Sequence, residues 1–79
     1  PAMSAPKFKT FDVRPHLARG DEPFPLIRSR VDALPAGHGL TIVAPFLPAP
    51  LIELLKGEGF HSTAERRADG AWAVNFWRD

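Results

Sequence analysis

The pattern Pro-x-Pro-Leu-Ile occurs twice in this chain, as Pro23-Phe24-Pro25-Leu26-Ile27 and, twenty-five residues later, as Pro48-Ala49-Pro50-Leu51-Ile52. Each copy follows a strand-like run and a loop, and each opens a segment with apolar residues at helical spacing. Proline is tolerated in the first helical turn, because the amide it lacks would have no intrahelical partner there. Local physics alone therefore accounts for a rigid helix start used twice. A residue before proline avoids helical dihedrals, which puts Phe24 and Ala49 at the margins of their helices. The pattern limits the fold to two strand-helix units plus whatever the remaining residues form.

Residues 7–13 read as a strand with Phe11 and Val13 on one face, and residues 14–21, with Pro15 and Gly20, as a loop. A first helix is expected over 23–34, where Phe24, Ile27, Val31 and Leu34 share one side and Arg28, Arg30 and Asp32 the other. Pro35 and Gly37 end it. Residues 39–45 carry the near-continuous apolar run Leu40, Ile42, Val43, Ala44 of a central strand. A second helix over 48–56 packs through Leu51, Ile52 and Leu55, with Gly57 as the left-handed stop.

The last third is a hairpin, residues 60–67 returning as 71–77 around Asp69-Gly70. A two-residue loop would set Trp72, Val74 and Phe76 opposite Arg67, Glu65 and Thr63. A three-residue loop, Ala68-Asp69-Gly70 with Gly70 left-handed, pairs them with Arg66, Ala64 and Ser62 and brings Phe60 to the same face. The second register is preferred because the apolar residues then share a side. Right-handed crossovers place both helices on one face. The expected fold is an α/β two-layer sandwich of order βαβαββ, a four-stranded mixed sheet with two helices on one face. It occupies residues 7–79 as a single domain, with residues 1–6 as a disordered tail.

The extended run Phe11-Asp12-Val13-Arg14, the helix start Glu22-Pro23-Phe24-Pro25-Leu26-Ile27 and the turn Leu34-Pro35-Ala36-Gly37 together resemble the TusA/SirA-like fold family. More narrowly, they resemble its cysteine-less branch, a domain family of unknown function. The resemblance spans roughly Lys7 to Arg78. It implies the same architecture but no activity: the sulfur carriers of that family place a reactive Cys-Pro-x-Pro here, and Glu22 stands at the cysteine position. Relatives in the unknown-function branch carry an acidic, histidine-containing stretch before the second helix, where this chain has Ala44-Pro45-Phe46-Leu47-Pro48.

Composition narrows the chemistry further. With no cysteine, the chain has no disulfide, persulfide, thiol redox or thiolate-metal chemistry. Small secreted domains usually need such staples, since a chain this short buries only about 60 to 65% of its unfolded surface. A reducing cytoplasm is therefore expected. A formal charge of +1 offers no broad phosphate-binding surface, so no nucleic acid partner is expected. Arg66 and Arg67 with Arg28, Arg30 and Arg78 are interleaved by Glu65, Asp69 and Asp79, which reads as a solvated mixed surface. No apolar run approaches the roughly 18 to 20 residues of a membrane span, and residues 1–6 lack a signal-peptide pattern.

Candidate sites are few. Parallel first and second strands would bring both helix starts to one sheet edge, the usual ligand edge of open α/β sheets. Arg14, His16, Glu22, Pro23 and Pro25 then form a candidate helix-start edge with Phe46 nearby. The prolines delete donors and Glu22 adds negative charge, so an anion cradle is not expected there. His16, His38 and His61 lack paired metal-ligand spacing, and neither a metal nor a cofactor is expected. With no nucleophile elbow or Gly-rich phosphate loop, the chain is not expected to be an enzyme. Apolar residues offer more. Val43 and Trp77, with Phe8, fall on the uncovered sheet face, and Phe46 and Leu47 sit in a loop, marking a surface for a protein partner or self-association.

Overall fold

The structure, a computed structural model, describes residues 7–78; the expected tail over residues 1–6 lies outside them. Its elements are β1 (Lys7–Asp12), α1 (Arg14–Ala18), α2 (Pro23–Asp32), β2 (His38–Ala44), α3 (Ala49–Gly57), β3 (His61–Arg66) and β4 (Trp72–Trp77). The strands form one mixed sheet of order β1-β2-β4-β3. β1 and β2 run parallel, with Phe11 beside Ile42, and β4 is antiparallel to both β2 and β3. The most apolar strands, β2 and β4, hold the centre, where side chains are buried from both flanks. β1 and β3 are the edges.

The core occupies one face of the sheet. Phe11, Leu40, Ile42, Ala44, Val74 and Phe76 meet Ile27 and Val31 of α2 and Leu51 and Leu55 of α3 in a single cluster, which puts both long helices on the same side. The hairpin closes through a three-residue loop: Arg66 pairs with Trp72, Ala64 with Val74 and Ser62 with Phe76, while Gly70 takes φ +86°. Phe60 joins the core, as the apolar-side argument requires.

Three local expectations are corrected. The segment expected as a loop over 14–21 contains α1, because Pro15 in the first turn fits a helix start and Leu17 packs against the core. The first long helix stops at Asp32, and Leu34 packs on the core from the turn beyond it. Gly57 is the last residue of α3, and the left-handed conformation falls two residues later at Gly59, φ +92°.

On the uncovered face the register sorts side chains into three rows across the strands. Phe8, Gly39, Trp77 and His61 form the first, Thr10, Thr41, Asn75 and Thr63 the second, and Asp12, Val43, Ala73 and Glu65 the third. The middle row is hydrogen-bonded: the Thr41 hydroxyl donates to Asn75 Oδ1 (2.6 Å) and Asn75 Nδ2 donates to Thr63 Oγ1 (3.1 Å). Among the described residues no helix is long and apolar enough to cross a membrane.

Candidate functional site

Because β1 and β2 are parallel, their C-terminal ends and the N-termini of α2 and α3 meet at one edge. There the two Pro-x-Pro starts face each other across an open groove of about 210 Å³. Val13, Ile42, Ala44 and Leu51 form its floor, and Leu17, Pro23, Phe24, Phe46, Pro48 and Pro50 its walls, so every lining residue is apolar. Phe24 and Phe46 are 44% and 53% exposed, flanking the mouth. Prolines at the starts of both helices remove amide donors, and neither N-cap residue makes a side-chain cap hydrogen bond. The edge therefore presents apolar surface and few free amide donors.

The polar residues expected at this edge are arranged around it rather than in it. Arg14 turns to the uncovered face: its guanidinium donates to both Asp12 carboxylate oxygens (2.7 to 3.1 Å) and to Asp69 Oδ2 (3.0 Å), tying β1 to the hairpin loop. The Arg14 hydrogen bonds hold the Asp12 carboxyl below its ordinary value. Asp69 is held below its own chiefly by the Ala71 amide, with Arg14 adding to it. His16 stands edge-on to Phe11 and contacts Arg19 and Asp21. Glu22, at the N-cap of α2, is exposed. Pro23 lines the groove; Pro25 is exposed outside it.

Of the four residues expected to form an interaction surface, Phe46 lines the groove, Leu47 is exposed beside it and Trp77 is half-buried on the uncovered face. Val43 does not belong with them. It is 1% exposed, flanked in register by Asp12 and Ala73 at the end of the sheet that the Asp12–Arg14–Asp69 pairs cross. Apolar surface on that face reduces to Phe8, edge-on to Trp77 at 6.1 Å, and Trp77 against His61 at 5.7 Å. The polar middle row separates this pair from Val43.

The arginines do not converge. Arg28 forks onto Glu58 (2.7 and 2.8 Å) and reaches Asp32, clamping α2 to α3; Arg30 lies over Phe11, Arg66 over Trp72 and Arg78 over Phe60, while Arg67 pairs with Asp69. Among the described residues no group of three or more His, Asp or Glu lies together in a way that could hold a metal ion. Of the eleven residues that line the groove, sequence reasoning singles out Pro23 and Phe46 and misses the other nine. Leu17 lies in a segment that reads as a loop, and Phe24 reads as a core residue by its spacing from Ile27; Pro25 after Phe24 is the signal that its helical placement is constrained.

A family model described as "Uncharacterized conserved protein (DUF2249)" matches residues 10–78. The chain belongs to that family. The matched span of this DUF2249 domain starts within β1 and includes every later element, so it contains both Pro-x-Pro starts and the groove between them. No curated protein and no solved structure matches the chain.

Proposed function

We propose that this DUF2249 domain is a non-catalytic module that works by protein contact, and that its contact surface is the apolar groove between the two helix starts. The observation that carries the reading is the lining: eleven residues from α1, both long helices, β2 and the adjoining loops, all apolar, with Phe24 and Phe46 exposed at the rim. Solvent-exposed apolar surface gathered at the ligand edge of a sheet favours binding of an apolar side chain or segment. The βαβαββ order and the Pro-x-Pro start also support a TusA/SirA-like, cysteine-less descent. In that reading Glu22 occupies the acceptor position of a sulfur carrier, and a carboxylate cannot form a persulfide. The thiol-free composition suits a reducing cytoplasm.

The test compares capture of binding partners from native lysate by the wild-type domain and by Phe24→Glu and Phe46→Glu variants that keep the wild-type melting temperature. Partners enriched by the wild type and lost with both variants are expected. Equal capture by all three would overturn the groove as the contact surface. A second reading, an accessory site for a small molecule, is favoured only in an apolar form by the same lining; titration with metal ions and inorganic anions is expected to be flat.

A further inference from the structure

The hairpin loop carries an Asp-Gly step, Asp69-Gly70, whereas Asp12, Asp21 and Asp32 are followed by Val13, Glu22 and Ala33. That step has a chemistry of its own. The backbone nitrogen of the residue after an aspartate can attack the side-chain Cγ and close a five-membered succinimide, and glycine leaves the approach unhindered because it has no β-carbon. Nothing lies within 4 Å of a β-carbon built at Gly70, and the Asp69 side chain is 43% open to water.

The fold holds the reacting groups back. The Gly70 N–H donates to the Arg67 carbonyl at 3.0 Å, so the nucleophilic nitrogen is tied into the closed turn. Asp69 Oδ1 accepts from the Ala71 amide at 3.0 Å, and Oδ2 accepts from Arg14 Nη1 at 3.0 Å beside Arg67 Nε at 3.4 Å. With both oxygens occupied, Cγ turns toward the nitrogen only by breaking these contacts. The same contacts favour the ionised carboxylate, which is a poor acyl donor because its oxygen leaves as water only after protonation. Of these partners, Arg14 comes from a distant part of the chain, where Asp12 fixes its guanidinium through three hydrogen bonds.

We propose that Asp69 is a site of spontaneous isomerisation to isoaspartate and that Arg14 is the residue that holds it in check. When Arg14 lets go, the Gly70 nitrogen bonds to Asp69 Cγ. The amide proton and the carboxylic acid's OH leave as water, and the succinimide forms. Water then adds back at either carbonyl. Opening at Cγ restores aspartate; opening at the main-chain carbonyl carbon routes the backbone through the former side chain and leaves isoaspartate. Water alone is lost and regained, and no oxidant or reductant enters. The product lengthens the loop backbone by one methylene and moves the carboxylate, which breaks the tie between Arg14 and the hairpin. The site uses none of the groove residues, so this proposal and the groove fail separately.

Oxygen-18 water reads each passage through the succinimide, because ring opening leaves one solvent oxygen in the carboxyl group. The wild-type protein is incubated in labelled water at mildly acidic pH, folded and unfolded in guanidinium chloride, then digested and read by mass spectrometry. Isoaspartate is scored in parallel with an isoaspartyl methyltransferase. Label and isoaspartate are expected at Asp69 and not at Asp32 in the unfolded chain, and to build up far more slowly in the folded wild type. Arg14→Gln is expected to raise the folded rate about tenfold, the rate equivalent of one hydrogen bond to an ionised group. Arg28→Gln, which breaks the separate clamp between α2 and α3, is expected to leave that rate at the wild-type value. Should Arg14→Gln fail to fold, Arg14→Lys serves instead: an ammonium cannot fork between Asp12 and Asp69, and a rate above wild type is expected. A rate at or below wild type in the folded Arg14 variant overturns the proposal. So does a rise matched by Arg28→Gln, an unfolded chain unlabelled at Asp69, or equal labelling of folded and unfolded wild type.

Discussion

The ring of Phe8 on β1 lies across Gly39 on β2, in the space a side chain at residue 39 would fill. A β-carbon built there meets the Phe8 ring, and it comes within 2.8 Å of the Phe76 carbonyl oxygen. The glycine therefore serves the aromatic row: it lets Phe8 fold over the sheet to reach Trp77, and an aromatic beside a strand glycine covers backbone that would otherwise be bare. Gly39→Ala is expected to cost about 1 to 3 kcal/mol through overpacking, some of it against backbone that cannot swing away. At about 4 to 8 °C per kcal/mol for a domain of this size, thermal unfolding checks this readily. Adding Phe8→Ala is expected to recover part of the loss, because the carbonyl contact remains while the ring contact goes. A Gly39→Ala protein as stable as the wild type would mean the ring does not pack there.

Much of this architecture was legible because each level of the sequence agreed with the next. The Pro-x-Pro starts fixed the two βα units, and the demand that Trp72, Val74, Phe76 and Phe60 share a side chose the hairpin register that the structure adopts. What was not legible depended on contacts distant in sequence. Val43 reads as an exposed residue on an open face, and nothing in its own neighbourhood says that Arg14 joins Asp12 to Asp69, fifty-five positions apart from Arg14, at that end of the sheet. Likewise Pro15 and Gly20 punctuate a loop and a short helix equally well, and Leu17 packing on the core decided between them. The parallel strands bring both helix starts to one edge, and the groove lies there. Its apolar character does not show in Arg14, His16 and Glu22, the polar residues near that edge in sequence, because none of them lines it.

Val43 supplies a second prediction. At 1% exposure, truncation to alanine removes two buried methyl groups, expected to cost about 1.5 to 3 kcal/mol in transfer and cavity terms. Val43→Asp is expected to prevent stable folding, since it buries a charge next to Asp12 in the same row. Chemical denaturation of Val43→Ala is the measurement. An unchanged midpoint would return this residue to the surface.

Stability should fall in acid for an identifiable reason. Hydrogen bonds from Arg28 hold Asp32 and Glu58 below their ordinary values, Arg14 does the same for Asp12, and the Ala71 amide leads in doing so for Asp69. A carboxyl with a depressed folded pKa contributes stability that is fully present above its unfolded value and is lost as the pH drops through the folded one. With ordinary values of 3.8 for the aspartates and 4.5 for the glutamate, the melting temperature is expected to hold near neutral pH and decline from about pH 4.5 downward. Arg28→Gln should lower the neutral-pH melting temperature and flatten that decline, because both carboxylates lose their fork. Arg28→Lys is not expected to restore it, since an ammonium cannot match the two-pronged contact with Glu58. Parallel pH titrations of melting temperature for the three proteins decide the matter.

The end of α3 separates two glycines by their backbones. Gly57 closes the helix with ordinary helical dihedrals and open space around an added β-carbon, whereas Gly59 takes φ +92° with only the Arg78 side chain within 4 Å. Replacing Gly57 with alanine reduces the freedom of the unfolded chain and improves helix propensity, so Gly57→Ala is expected to stabilise the domain by about 0.5 to 1 kcal/mol. Gly59→Ala forces an L side chain into the left-handed region and is expected to cost about 1 to 2 kcal/mol, even with space available. The reversal after α3 depends on that conformation, because the Phe60 amide donates to the Leu55 carbonyl at 2.9 Å immediately after it and so carries the Phe60 ring into the core. Denaturation of the two single variants should therefore move the midpoint in opposite directions. A Gly57→Ala protein that loses stability while Gly59→Ala keeps it would place the left-handed stop where the sequence alone first suggested.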